Sequence, residues 1–117
     1  MDANEYQRLA WHTAKPFYKC ESGGDTFHQL QLVTLILALA GEAGELANKV
    51  KKAIENGEIS DTKFRDIFLE ELGDVQWYVS GVAHFLGCPL ERLMGQNIAK
   101  LRERYPNGFP NKSTIGA

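Results

Sequence analysis

Leu30, Leu32, Val33, Leu35, Ile36, Leu37 and Leu39 crowd into ten consecutive residues. No stretch of the chain alternates apolar and polar residues with period two, so this run and the segments around it read as helix rather than strand. A helix that is apolar nearly all round must be covered nearly all round. A chain of 117 residues makes one domain with one core. The expectation is an all-α fold, a single domain over 1–117, with a second subunit covering part of this helix.

Punctuation divides the rest. Asp2 or Asn4 suits the N-cap of a first helix reaching about Ala14, which Lys15-Pro16 ends because proline lacks an N–H and disfavours helix in the residue before it. Residues 15–26, with Pro16, Gly23, Gly24 and Asp25, read as loop. The second helix should span about Phe27 to Asn56 and stop at Gly57. Ser60 or Asp61 suits the cap of a third, carrying Ile67, Phe68, Leu72, Val75, Tyr78, Val79, Val82 and Phe85 at helical spacing and stopping at Gly87. Pro89 suits the first turn of a fourth, which presents Ile98, Leu101 and Tyr105 to the core and ends before Pro106. The tail, about 106–117, reads as irregular.

Two carboxylate pairs lie inside these apolar helices. Glu42 and Glu45 form a Glu-x-x-Glu step, and Glu71 and Asp74 a Glu-x-x-Asp step. Residues three apart on a helix sit roughly 60° apart and about 4.5 Å along it, so each pair can aim at one point. Carboxylates against a core need a cation to satisfy them. All-oxygen ligands suit Mg²⁺, with Mn²⁺ as the alternative ion. A ferritin-like di-iron site needs Glu-x-x-His steps, and His12, His28 and His84 follow Leu9, Asp25 and Gly81 instead. The competing structural reading is a solvated face with local partners, Glu45 with Lys49 four residues on. Gly41, Gly44 and Gly73 interleave with the acids although each costs about 1 kcal/mol in a helix. Close approach of the two acid-bearing helices would account for them.

Asn97, Lys100 and Arg104 share one face of the last helix, where donors could meet a polyphosphate or simply complement the helix dipole. Residues 41–76 carry nine Asp/Glu against five Lys/Arg, whereas 92–112 carry five Lys/Arg against Glu103 alone. With a formal net charge of −2, nothing in the composition points to nucleic acid. Cys20 and Cys88 match no CxxC pattern and are expected to be reduced cytoplasmic thiols. The start, MDANEYQRLA, has no apolar signal core, and the most apolar run, Leu32 to Ala40, is interrupted by Thr34 and is far shorter than the ~20 residues of a membrane span.

LAGEAGELANKVKK (39–52), LEELGDVQWYV (69–79) and NIAKLRERYPNGF (97–109) together resemble the MazG-like, all-α nucleoside triphosphate pyrophosphohydrolases. NEYQRLAWHTA (4–14) resembles the start of their short, single-domain members. The resemblance implies a four-helix MazG-like bundle completed as a homodimer or a dimer of dimers, with the site bordered by both subunits. It implies Mg²⁺-dependent cleavage of a nucleoside triphosphate, NTP or dNTP, to the monophosphate and pyrophosphate. Residue by residue, it makes Glu42, Glu45, Glu71 and Asp74 metal ligands and Glu70, beside Glu71, a candidate to orient or deprotonate water. Asn97, Lys100, Arg104 and, less directly, Lys49 would hold phosphates. The motif leaves the base open, and Trp11, His12, Phe17, Phe27, His28 and Trp77 are candidates to contact it. The alternatives are a relative restricted to dUTP, dCTP or phosphoribosyl-ATP, or a non-catalytic helical oligomer that binds nucleotide.

Overall fold

The computed structural model describes residues 1–58 and 62–108. Five helices follow in order: α1 (Ala3–Trp11), α2 (Pro16–Lys19), α3 (Gly24–Glu55), α4 (Thr62–Phe85) and α5 (Leu90–Arg104). A 3₁₀ turn, Pro106–Gly108, closes the described part of the tail. Among the described residues there is no strand, and the all-α expectation holds.

The helix ends show how the sequence sets these elements. Asp2 caps α1, its side chain accepting from the Glu5 N–H at 2.8 Å. Gly57 and Gly87 take φ of +67° and +73° just past α3 and α4. At both, the glycine N–H and the next N–H return to carbonyls of the last turn: Gly57 to Ile54 and Glu58 to Ala53, Gly87 to His84 and Cys88 to Ala83. These are paired Schellman closures, which glycine supplies without a Cβ penalty. The expected Ser60 or Asp61 cap lies outside the described residues.

Three boundaries differ from expectation. Helix α1 stops at Trp11 because the N–H groups of His12, Thr13 and Ala14 tighten onto carbonyls three residues back. Pro16 opens the short helix α2 inside the expected loop, at the position where a missing N–H costs nothing. Helix α3 begins at Gly24, with Asp25 favourably placed in its first turn.

Helices α3 and α4 make the most extensive packing in the fold. His28 stacks on Phe85, and further along Lys49 pairs with Glu71, so the two run antiparallel as a long hairpin. Helix α1 crosses α4: the Trp77 Nε1–H donates to Ala10 O at 3.1 Å and Thr13 Oγ1 at 2.9 Å, and the Trp11 and Trp77 rings stack. Gln7, buried, donates from Nε2 to Ser80 O and Cys88 O and accepts the Leu90 N–H at Oε1. Asn4 Oδ1 accepts the Glu91 N–H. The start of α5 is therefore capped from α1, because Pro89 has no capping group of its own. Gln31 ties α2 to α3 through Phe17 O and Cys20 O at 2.7 and 2.8 Å.

Among the described residues the apolar core is small: Leu35, Ala53, Phe64, Ala83, Ala14 and Leu90. Leu30, Val33 and Leu37 of α3, Leu69 and Leu72 of α4, and Met94 of α5 stay exposed, Leu37 at 66%. The expectation that Ile98 and Tyr105 face the core does not hold. Both are exposed, because α5 is anchored at its N-terminal end. Nor do Gly41, Gly44 and Gly73 serve close approach of α3 and α4: a Cβ at any of them meets nothing within 4 Å. They lie on the outer face, beside the exposed leucines. By length and composition alone α3 is long and apolar enough to cross a membrane, a test that core helices of soluble proteins also pass.

Candidate functional site

The hairpin register gathers acids from both sequence steps. Glu42 on α3 and Glu71 and Asp74 on α4 each offer one carboxylate oxygen, and the three oxygens lie within 4.8 Å of one another. Glu71 is buried, Glu42 half-buried and Asp74 exposed, so the group opens from the helix interface towards solvent. Oxygens sharing one Mg²⁺ at about 2.1 Å lie at most about 4.2 Å apart. Adjacent octahedral donors lie only about 3.0 Å apart, so the three carboxylates would close in on an ion, and the donor set is the hard, all-oxygen kind it takes.

Electrostatics mark the same place. Burial pushes the Glu42 carboxyl above the usual carboxylate range, and the charges of Asp74, Glu71 and Glu45 add to the effect. Glu45 is exposed and its oxygens fall outside the group of three, but it lies within charge reach of Glu42. Glu70 is exposed beside Glu71. Lys49 does not take Glu45 as its helical neighbour. Its ammonium crosses to α4 and bonds Glu71 Oε1. That bond raises the lysine pKa most; burial opposes it, and the charges of Glu71, Glu70 and Glu45 add to the rise.

A cavity of about 280 Å³ adjoins the acids, with Glu42 and Asp74 in its wall. Its other walls are Thr13, Lys15, Tyr18, Trp77 and Tyr78. The two bonds from its indole N–H fix the Trp77 ring. Burial, helped by Tyr18, Glu42 and Asp74, raises the Tyr78 pKa and keeps its hydroxyl protonated as a donor. Of the six base-contact candidates, Trp77 alone borders this cavity. Trp11, His12 and His28 line a second cavity of about 610 Å³, which shares Tyr18 with the first but includes none of Glu42, Glu71 and Asp74. Trp11 is stacked on His84 there, and Phe17 packs edge-on against Phe27. The sequence reading missed Thr13, Lys15, Tyr18 and Tyr78. Residues 13–18 read as the end of a helix and a loop, and Tyr78 as one more apolar helix position.

Asn97, Lys100 and Arg104 share an exposed face of α5, as spaced. Within one copy they make no hydrogen bond or ion pair to the acids among the described residues.

Among the described residues the fold is helical, and its central antiparallel pair brings Glu42 of the Glu-x-x-Glu step together with both acids of the Glu-x-x-Asp step. The chain is a member of the MazG nucleotide pyrophosphohydrolase family, whose domain model matches residues 30–109. It is also 38% identical over 109 residues to the "Gene 37 protein" of Mycobacterium phage L5, the match covering 92% of each chain. No solved structure matches it significantly. Family membership makes it a hydrolase of the nucleotide pyrophosphohydrolase class.

Proposed function

We propose that this chain hydrolyses nucleoside triphosphates, NTP or dNTP, to the monophosphate and pyrophosphate with Mg²⁺, or Mn²⁺ in its place, as a house-cleaning enzyme of the cytoplasm. The observation supporting this is that Glu42, Glu71 and Asp74 gather beside a cavity of about 280 Å³. Glu42, Glu71 and Asp74 hold the ion, with Glu45 one turn beyond Glu42 completing the set. Bound there, a divalent ion screens phosphate charge and lowers the pKa of water. Glu71 would help hold the ion and position that water, and Glu70 beside it would accept the proton. The fixed Trp77 face and the Tyr78 hydroxyl seat the nucleoside. Lys49, Asn97, Lys100 and Arg104 hold the phosphates.

The α5 stripe reaches the acids from a second copy. Leu30, Val33, Leu37, Ala40 and Gly44 form one exposed stripe along α3, continued by Leu69, Leu72 and Gly73 on α4. A homodimer, or a dimer of dimers, covers this surface, and the open glycines let helices of two copies meet closely. Sedimentation should therefore give at least twice the 13.1 kDa chain mass.

The functional test is a panel of NTPs and dNTPs with Mg²⁺, read as pyrophosphate release. Release from several members supports a house-cleaning role, and release from one alone assigns a narrow-specificity hydrolase. Tight nucleotide binding with no release across the panel would reduce the protein to a binding module.

A further inference from the structure

Lys49 lies two turns along α3 from Glu42 and one from Glu45, on the side facing α4. Its ammonium bonds Glu71 Oε1, on the most buried of the three clustered acids. Its side chain is 38% exposed, so the flexible stem has solvent to swing into. The neighbouring Lys51 is engaged differently, with Glu55 on its own helix. Lys49 is thus a cation that the structure sets directly on this centre.

We propose that Lys49 is a resident counter-cation of this carboxylate centre, which a divalent ion displaces and which then turns to a substrate phosphate. The proposal rests on the metal reading given above. Three carboxylates drawn within 4.8 Å repel one another, and one ammonium on the innermost relieves part of that repulsion and keeps them gathered. A divalent ion seated on the same carboxylate draws on the same electrons and repels the ammonium. The ammonium then needs a new anion, and the phosphates of a bound nucleotide supply it within reach of the stem. Lys49 thus has two successive partners, and metal loading prepares the site for substrate.

Removing the competitor should tighten the metal and loosen the nucleotide, opposite signs that a simple structural bridge does not give. Calorimetric titration of Mn²⁺ into Lys49→Met should show affinity about fivefold or more above wild type. At saturating Mn²⁺ the same variant should bind an α,β-methylene nucleotide analogue about fivefold or more weakly. Lys49→Arg, which keeps the charge, should hold Mn²⁺ close to the wild-type value. In the wild type itself, Mn²⁺ should raise the reactivity of Lys49 towards an amine-acylating reagent, mapped by mass spectrometry, so the proposal is testable even where a variant fails to fold. Unchanged or weaker Mn²⁺ binding in Lys49→Met, unchanged analogue binding, or Lys49 reactivity that Mn²⁺ leaves alone would each overturn it. Wild-type protein that binds no Mn²⁺ would overturn the metal reading as well, whereas wild-type binding with an unaltered variant overturns this inference alone.

Discussion

Replacing Gln7 by Leu should be among the most damaging single changes outside the acidic centre. The side chain is buried and makes three hydrogen bonds: from Nε2 to Cys88 O at 2.9 Å and Ser80 O at 3.3 Å, and at Oε1 from Leu90 N–H at 2.9 Å. Leucine has similar volume and fills the space, but it satisfies none of these backbone groups. At roughly 1 kcal/mol net for each well-formed bond, and somewhat less for the long one, the loss is about 2.5 kcal/mol. Removing the side-chain cap of α5 is part of that loss rather than an addition to it. Urea denaturation, followed by circular dichroism at fixed protein concentration, measures it. For a slope near 1.5 kcal/mol per molar, the midpoint should fall by about 1.7 M. Asn4→Ala removes an exposed cap bond to Glu91 and should cost only about 0.5–1 kcal/mol. A Gln7→Leu midpoint within about 0.3 M of wild type would refute the account of how α1 clamps α4 to α5.

Other outcomes follow from single side chains. Glu71→Gln should reduce turnover about a hundredfold or more while leaving the far-UV spectrum unchanged, since the amide oxygen still accepts from Lys49. Wild-type rates in that variant would remove Glu71 from the site. Lys100→Ala should raise KM without moving Tm, because Lys100 is exposed and unpaired among the described residues. An effect on Tm alone would make it a helix-dipole residue. Burial against Trp11 pushes the His84 pKa below its ordinary 6.5, so the folded chain favours the neutral ring. The stability this gives is full above the unfolded value and is lost as pH falls through the folded one. Between about pH 7.5 and about pH 5.5, wild-type Tm should therefore drop further than that of His84→Gln. Parallel curves would contradict it.

Local chemistry was readable from the chain, and cross-helix chemistry much less so. Asp2, Gly57 and Gly87 act within one turn of their own positions, and their roles follow from residue type. The two acid steps were legible because a carboxylate inside an apolar helix is conspicuous. Gln7 and Gln31 escaped notice, since an uncharged amide in a helical pattern looks like surface until the other helix is in place. Lys49 has an apparent partner at Glu45, and only the register of α3 against α4 gives it Glu71. The glycines illustrate the same limit. Their cost in a helix suggests a close neighbour, but the open space around Gly41, Gly44 and Gly73 shows that α3 and α4 do not supply it to each other. Asn97, Lys100 and Arg104 share an exposed face of α5 as their spacing requires, whereas among the described residues no bond joins that face to the acids.

The central claim is that carboxylates from α3 and α4 direct cleavage between the α and β phosphates. Phosphorus NMR of a deoxynucleoside triphosphate turned over by the wild-type protein with Mg²⁺ tests it most directly. The account predicts monophosphate and pyrophosphate appearing together in equal amounts, with no signal when Mg²⁺ is withheld. Diphosphate and orthophosphate as first products would contradict it.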